Sequence, residues 1–258
     1  VERLSHPLEL GLDTFGDTTL GPDGTLLPHG QVIRNILREA ILADLVGVDF
    51  LGLGAHHRDA FAISAQDGLH GAVAARTERI RFGTAVTVLS SDDPIRVIER
   101  FNTLDALSNG RAEVILGRGS FTESFPLFGY HLRDYEVLFE EKLGLLASLL
   151  TEEPVTWSGT TRASLTEQRV YPSTAGGMRA WVGVGGSPES VVRTARYGFG
   201  LFLAIIGGKW VAASATLAPI FTLTKPTLAI YLALYGFAAS VACHVPSAPR
   251  AKRWRNAA

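Results

Sequence analysis

The sequence predicts an α/β fold of the (β/α)8 TIM-barrel type whose regular pattern is incomplete after the sixth strand. Three observations lead to this prediction. Short runs rich in β-branched residues alternate with segments of helical periodicity, helix-capping residues stand at several junctions, and the 258 residues are about the length that one such barrel uses. Short connections of this kind place consecutive strands side by side and parallel.

Capping residues mark where several helices begin and end. Asp93 precedes Pro94 and Ser187 precedes Pro188, which is the arrangement of an N-cap followed by proline at the first helical position. Gly110 is placed to end the helix that Asp93 begins. The predicted strands lie near residues 8–15, 49–55, 80–88, 111–117, 180–185 and 199–206, helices near 31–46, 65–76 and 134–150, and a small hairpin within 157–171.

The overall composition excludes several classes of protein. Hydrophobic residues make up 47% of the chain and charged residues 19%, so extended disorder is excluded for most of it. Cys243 is the single cysteine, which rules out an internal disulfide framework. The formal net charge of −1 gives no electrostatic reason to expect nucleic acid or an anionic membrane as a partner.

The composition changes sharply near residue 208. Residues 1–208 contain all 25 acidic residues, whereas residues 209–258 contain six basic residues and no acidic one. We therefore expect a barrel portion over 1–208 and an atypical apolar and basic tail over 209–258. A truncation or shifted reading frame, a divergent closure of the barrel and a membrane anchor all fit the tail. The apolar run 228–241 is expected to stay exposed or to form a loosely docked helix, and the absence of an N-terminal apolar segment predicts a cytoplasmic protein.

Common signatures of other enzyme classes are missing from the sequence. The first predicted strand is not followed by G-x-G-x-x-G, and the nearest match, at 183–188, has proline where the third glycine belongs. The seven histidines form no H-E-x-x-H motif, so no metal site is expected. Neither a G-x-S-x-G nucleophile elbow nor a Walker lysine is present. Dinucleotide-binding, metallohydrolase and nucleotide-triphosphatase interpretations therefore lose their simplest support.

Polar and small residues instead follow the predicted strands, at the barrel end where active sites lie. His56 and His57 follow the second strand, and either one is equally well explained as a hydrogen-bonded strand-end residue. Arg118 follows the fourth strand and either pairs with a loop carboxylate or binds an anion. The anion site is favoured because Gly185-Gly186-Ser187, on the next strand, opens a helix with free N–H groups. The further strand-end residues are Thr84, Ala85, Val86, Gly119 and Ser120.

Several long segments resemble the bacterial luciferase-like flavin monooxygenases, a family of (β/α)8 barrels that use FMN or a deazaflavin. The resemblance covers residues 8–208 and implies an oxidoreductase, a flavoprotein. One departure is Ala55, which stands where the family usually has an acidic residue before the paired histidines. The matching segments are LELGLDTFG near the start, LGAHH at 53–57, the stretch at 75–130, EEPVTWSG at 152–159 and VGVGGSPESVVRTARYGF at 182–199.

The resemblance also implies roles for individual residues. His56 is similar to the active-site histidine that stabilises the oxygenated flavin, and His57 is the second catalytic candidate. Thr84, Ala85 and Val86 resemble the segment that backs the isoalloxazine ring, often with a non-proline cis peptide. The expected phosphate and ribityl pocket consists of Arg118, Gly186, Ser187, Glu189 and Ser190, with Gly119, Ser120 and Gly185 beside it.

The function that the resemblance implies is oxidation of a small organic substrate by dioxygen with reduced FMN. A flavin reductase, or NAD(P)H indirectly, would supply the reducing equivalents, and a homo-oligomer is expected from the family. Two alternatives remain open: a shortened barrel that binds a flavin without catalysis, and an inactive fragment.

Overall fold

The computed structural model describes residues 9–174, 176–185, 187–206, 227–233 and 238–244. The helices are α1 (His29–Val46), α2 (Gln66–Arg76), α3 (Pro94–Ser108), α4 (Ser124–Leu127), α5 (Tyr135–Leu149) and α6 (Pro188–Arg196). The strands are β1 (Glu9–Thr14), β2 (Phe50–Leu53), β3 (Arg81–Thr84), β4 (Thr87–Val88), β5 (Ala112–Gly117), β6 (Val155–Trp157), β7 (Leu165–Gln168), β8 (Arg179–Val184), β9 (Gly200–Ile206), β10 (Thr227–Ala233) and β11 (Ala238–His244).

The six predicted strands form one curved parallel sheet in sequential order. Each neighbouring pair of β1, β2, β3, β5, β8 and β9 is parallel, which confirms the predicted order. The third predicted strand is divided into β3 and β4, and a cis peptide joins Ala85 to Val86 between them. β6 and β7 form the small antiparallel hairpin expected near residues 157–171.

Two further strands connect the open edges of this sheet. β10 pairs in parallel with β1, and β11 lies antiparallel to both β10 and β9. Among the described residues no helix follows β9, in agreement with the prediction that the regular pattern is incomplete after the sixth strand. The expectation of a loosely docked helix over 228–241 is wrong for its described residues, which are strands, and the expected exposure of its side chains lies outside what the structure describes. Backbone pairing explains the difference, because β1 and β9 would otherwise leave unpaired N–H and C=O groups. The predicted boundary at residue 208 lies outside the described residues.

Apolar side chains form two layers on opposite faces of the sheet. Val114 and Leu116 of β5 belong to the large cluster that packs against the helices, whereas Ile115 belongs to a small cluster with Phe50 and Trp181. Successive side chains of a strand point to opposite faces, so the small cluster fills the inside of the barrel. Most of the core therefore lies between the sheet and the helices, and a smaller part fills the barrel interior.

A buried ionic cluster closes the amino end of the barrel. Glu113 of β5 is 1% exposed, and one of its carboxylate oxygens lies 2.7 Å from Arg81 of β3 and 3.2 Å from Arg179 of β8. The other oxygen accepts a 2.7 Å hydrogen bond from the Trp181 indole. Because Arg81 and Arg179 open their strands, this cluster lies at the end opposite to the predicted site.

Side-chain caps mark the starts of α3 and α6. The Asp93 carboxylate accepts hydrogen bonds from the backbone N–H groups of Ile95 and Arg96, and the Ser187 hydroxyl accepts one from Ser190. Both predicted N-caps are confirmed. The C-cap of α3 is Asn109, which adopts a left-handed conformation with φ of 55°, and Gly110 follows it.

Candidate functional site

The loops after β1 and β2 are tied together by backbone hydrogen bonds. The N–H of Thr18 donates to Ala60 at 2.9 Å and that of Ala62 to Gly16 at 2.6 Å. Asp17 and Phe61 form an isolated antiparallel bridge. These contacts fix the loop that begins at the predicted catalytic histidines on the carboxyl end of the barrel.

His56 lies in an aromatic enclosure built from three loops. Its ring centroid is 5.0 Å from that of Phe15, 4.5 Å from Phe61 and 4.2 Å from Phe121. Phe15 follows β1, Phe61 lies in the loop after β2, and Phe121 follows β5. The three phenylalanines surround the imidazole with apolar surface, although half-burial of His56 keeps the site within reach of a ligand.

The enclosure also sets the charge of His56. Burial, which is the largest cause, and the neighbouring charges of Arg58 and His57 together lower its pKa to about 4. At neutral pH the imidazole is therefore uncharged, with one nitrogen able to donate a hydrogen bond and the other able to accept one. A neutral imidazole beside apolar surface can hold a bound polar group by hydrogen bonding at either nitrogen.

His57 occupies different surroundings. Its ring stands edge-on to Phe128, with centroids 5.1 Å apart, and burial lowers its pKa. The structure thus places the two adjacent histidines against different aromatic groups, with His56 inside the three-phenylalanine enclosure and His57 beside Phe128.

The segment Thr84–Val86 forms a fixed shelf at the end of β3. The hydroxyl of fully buried Thr84 donates to the Ile115 carbonyl at 2.8 Å and accepts from the Ile115 N–H at 3.1 Å. The cis peptide follows. A Cβ atom on Gly117 would collide with Val86, and one on Gly183 would come within 3.1 Å of it. Neighbouring glycines therefore make room for the shelf, which joins β3 to β5.

Gly54, directly after β2, lets Phe15 and Ala85 approach the backbone closely in the same region. A Cβ atom at Gly54 would collide with the Phe15 ring and with the Ala85 carbonyl oxygen. The shelf and the aromatic enclosure thus meet at Gly54. This contact brings the predicted ring-backing segment next to a wall of His56.

Arg118 and the start of α6 converge, as the strand order predicts. The Arg118 guanidinium lies 3.3 Å from the Ser190 hydroxyl and 2.5 Å from the Glu136 carboxylate. It also lies over the Tyr135 ring, 5.5 Å from its centroid. Glu136, which pairs with Arg193 as well, holds Arg118 in place while offsetting part of its charge.

The α6 N-terminus adds two hydroxyls and the positive end of the helix dipole to Arg118. The Ser187 and Ser190 hydroxyls are 2.8 Å apart, and a Cβ atom at exposed Gly185 would have open space around it. Glu189 is exposed, and Gly186 lies outside the described residues. A cation, hydroxyls and a helix N-terminus at one place form an arrangement that suits an anion such as a phosphate.

Gly119 and Ser120 connect the two parts of the site. Gly119 has a φ of 82°, and its carbonyl accepts a 2.7 Å hydrogen bond from the Tyr135 hydroxyl. Ser120 is exposed, and Phe121 follows it directly. The chain therefore passes from the Arg118 cluster to the His56 enclosure within three residues.

Sequence reasoning missed the aromatic enclosure and the ion pair between Arg58 and Glu123. Phe15 is the last residue of the first predicted strand, and Phe61 and Phe121 lie in the loops after the second and fourth predicted strands. Their shared position toward the carboxyl ends of strands is the signal from which they could have been found. Among the described residues, no group of three His, Cys, Asp or Glu side chains is placed to hold a metal ion. In that same part of the chain, every helix is too short or too polar to cross a bilayer.

The fold defines an α/β barrel protein, and the candidate site lies at the carboxyl ends of its strands. A family model described as luciferase-like monooxygenase matches residues 14–219. Since this match covers most of the chain, the protein belongs to the luciferase-like monooxygenase family.

Curated relatives match about half of the chain. The alkanal monooxygenase alpha chain of Photorhabdus laumondii is 27% identical over 139 residues, which are 54% of this chain and 39% of the relative. The 4-hydroxyprotoasukamycin monooxygenase of Streptomyces nodosus is 36% identical over 115 residues, 44% of this chain and 31% of the relative. The alignments thus span well under half of each relative's length.

Solved structures share the barrel. Monooxygenase RslO1 from Streptomyces bottropensis has a TM-score of 0.65 and 26% identity, over 75% of this chain and 59% of that one. Two more distant structures, each 20% identical, show the fold alone. One is the oxygenating constituent of 3,6-diketocamphane monooxygenase of Pseudomonas putida with FMN, at a TM-score of 0.63 over 75% of this chain and 56% of that one. The other is an F420-dependent secondary alcohol dehydrogenase with an F420-acetone adduct, at 0.62 over 76% and 58%.

Proposed function

We propose that the protein is a flavin-dependent monooxygenase that oxidises a small organic substrate with dioxygen and reduced FMN. Family membership supports monooxygenase chemistry in general. The observation that carries the proposal is the juxtaposition of an anion site, a shelf of small residues and a neutral imidazole at one end of the barrel. A phosphate-bearing planar cofactor and an oxygenation reaction need these three elements.

The residues at the strand ends fit a flavin nucleotide. Arg118, Ser187 and Ser190 would hold its phosphate, because the guanidinium and both hydroxyls meet at the start of α6. Thr84, Ala85 and Val86 would back the ring, since hydrogen bonds and neighbouring glycines fix this segment. Gly119, Ser120, Gly185, Gly186 and Glu189 complete the proposed cofactor-binding set.

When bound, the reduced flavin supplies the electrons that activate dioxygen. The chain's own contribution is to position the reactants and to exclude water. Phe15, Phe61 and Phe121 place apolar surface around the reacting region, which limits access of water to reactive groups. His56, neutral because of its burial, would donate or accept the proton that the reaction moves, and His57 is the second candidate for this role.

The names of the relatives suggest the class of substrate. The matched relatives include monooxygenases of an alkanal and of limonene, both of which are small and mostly apolar. We extend this class to the present chain because its aromatic enclosure is apolar. A flavin reductase, or NAD(P)H indirectly, would supply reduced cofactor, and a deazaflavin is the alternative to FMN because one barrel neighbour holds F420.

Cofactor binding is tested with matched arginine variants. Losing a charge-assisted contact costs about 1.5–3 kcal/mol, so Arg118→Ala should weaken FMN binding roughly 10- to 150-fold in a fluorescence titration. The control is Arg133→Ala, since Arg133 is 78% exposed and makes only a 3.8 Å ion pair with Asp134. Titration with F420 alongside FMN decides between the two cofactors. Equal affinities in wild type and Arg118→Ala would refute the assignment of Arg118.

Catalysis is tested separately at His56. The His56→Ala variant should bind FMN within about twofold of wild type but oxidise substrate at least 100-fold more slowly, because a positioned acid or base contributes about that much. Product formation from an apolar aldehyde, with a reductase and NADH, is the measurement. A wild-type chain that binds FMN and forms no product would instead favour the non-catalytic flavin-binding alternative.

A further inference from the structure

The loop after β5 carries Phe121 across to His56. One end of this loop is fixed where the Tyr135 hydroxyl binds the Gly119 carbonyl at 2.7 Å. The other end is fixed at Phe125, which is 1% exposed and stacks on Tyr135 with ring centroids 5.6 Å apart. Phe121 lies between these two fixed points, and its ring centroid is 4.2 Å from that of His56.

An ion pair joins this loop to the loop after β2. The Arg58 guanidinium pairs with the Glu123 carboxylate, 65 residues further along the chain. The same guanidinium lies over the Phe121 ring, 4.5 Å from its centroid. Arg58 thus contacts both the carboxylate and the aromatic ring of the opposite loop, two residues after His56.

The pair is poorly placed to stabilise the fold. The side chain of Arg58 is 49% exposed, and ion pairs at such positions contribute little to unfolding free energy. It does, however, join two loops that follow different strands. The ion pair fixes the position of the Phe121 ring, because this ring lies against the Arg58 guanidinium and Glu123 holds that guanidinium in place.

We propose that Arg58 and Glu123 are positioning residues that hold Phe121 against His56 and so complete the apolar enclosure in which substrate is oxidised. The role of the enclosure rests on the proposed monooxygenase function. The contacts that build it exist without cofactor or substrate. Breaking the pair should therefore loosen the loop, expose His56 and weaken the binding of an apolar substrate.

The first test measures the loop in flavin-free protein. Arg58→Gln and Glu123→Gln should each raise hydrogen exchange over residues 119–123 by roughly fivefold, the equivalent of a surface ion pair. Arg58→Lys, which keeps the positive charge beside Glu123 and Phe121, should return exchange to within about twofold of wild type. The matched control is Arg169→Gln, because Arg169 has the same 49% exposure and a 3.4 Å pair with Glu153.

The second test measures the exposure of His56 directly. Its rate of modification by diethyl pyrocarbonate, followed by mass spectrometry, should rise roughly fivefold in the two single variants and stay unchanged in the control. Fully buried His70 serves as the internal reference for folding. If the single variants match wild type in both tests, the proposal is overturned. It is also overturned if Arg58→Lys behaves like Arg58→Gln, because a positive charge at this position would then not hold the loop.

Kinetics separate this proposal from the proposed function. With octanal as the probe, Arg58→Gln should raise KM roughly fivefold and leave kcat within twofold, since the pair holds a wall of the site and contacts no reacting atom. The wild-type protein could be inactive while loop exchange still changes when the ion pair is broken. That result would refute the monooxygenase function and the catalytic use of the enclosure, but the positioning of Phe121 would stand. If the protein is active and Arg58→Gln has the same KM as wild type, the positioning role alone is overturned.

Discussion

Two histidines of this protein share one acid–base property and differ in everything else. Burial lowers the pKa of both His56 and His70 to about 4. His70 belongs to α2, is fully buried, pairs with the Gly83 carbonyl at 2.9 Å and stacks on Phe82. His56 stands half-buried at a strand end, inside an enclosure made by loops.

The comparison shows that a shifted pKa does not by itself identify a functional histidine. Desolvation produces the same shift in the packed core and at the mouth of the barrel. Position separates the two residues, because only His56 lies at the carboxyl ends of the strands beside groups that suit a cofactor. Solvent and ligands can reach His56, whereas helix α2 and the sheet enclose His70.

The largest expected difference concerns stability. Replacing a fully buried aromatic side chain leaves a cavity, so His70→Ala should lower the free energy of unfolding by about 3 kcal/mol. His56→Ala should cost about 1 kcal/mol, because its surroundings are loops that can relax. Denaturant unfolding followed by circular dichroism measures both values. Equal losses would show that the enclosure of His56 is structural.

The pH dependence of stability should depend on the buried histidine, His70. The folded-state pKa of His70, about 4, lies below the unfolded value of about 6.5, so protonation favours the unfolded chain. Its contribution is complete above pH 6.5 and is lost as the pH falls from 6.5 to 4, by roughly 3 kcal/mol. Unfolding experiments at a series of pH values should therefore show a shallower acid loss for His70→Ala than for wild type. Parallel curves for the two proteins would contradict the low pKa.

The smallest expected effect is a change in the pKa of His56, and it tests what lowers the pKa of each histidine. The positive charge of Arg58 contributes to the low pKa of His56, whereas His70 is affected by burial and by its bond to Gly83. Arg58→Gln should therefore raise the pKa of His56 and leave that of His70 unchanged. Ring-proton chemical shifts measured across an acid titration report both values. A parallel shift of both histidines would point to a change of the whole fold.

Local sequence signals predicted the repeating part of the fold well. Asp93 and Ser187 cap their helices as expected, because N-cap chemistry needs nothing beyond neighbouring residues. The tail was predicted poorly. An uninterrupted apolar run lacks the polar alternation that identifies a strand, and its pairing in β10 and β11 depends on the distant edges β1 and β9.

The site was predicted only as far as its residues belong to strand ends. The approach of Arg118 to Ser190 follows from strand order, and the structure places them 3.3 Å apart. The aromatic enclosure depends on Phe15, Phe61 and Phe121, whose loops come from three strands and meet only in the folded chain. The contacts of Phe61 with Phe15 and with Phe121 span 46 and 60 residues of sequence, and no local pattern encodes such a meeting.

The buried Glu113 at the opposite end of the barrel has a consequence for strand register. Every residue of β5 is buried, so hydrophobicity alone distinguishes poorly between the correct pairing and one shifted by a single residue. A shift would turn the Glu113 carboxylate toward the apolar helix layer and away from Arg81, Arg179 and Trp181. A buried charge without partners is strongly unfavourable. The Glu113 carboxylate thereby favours one register of β3, β5 and β8. This register also determines how far along the barrel axis the polar groups at the carboxyl ends of these strands lie.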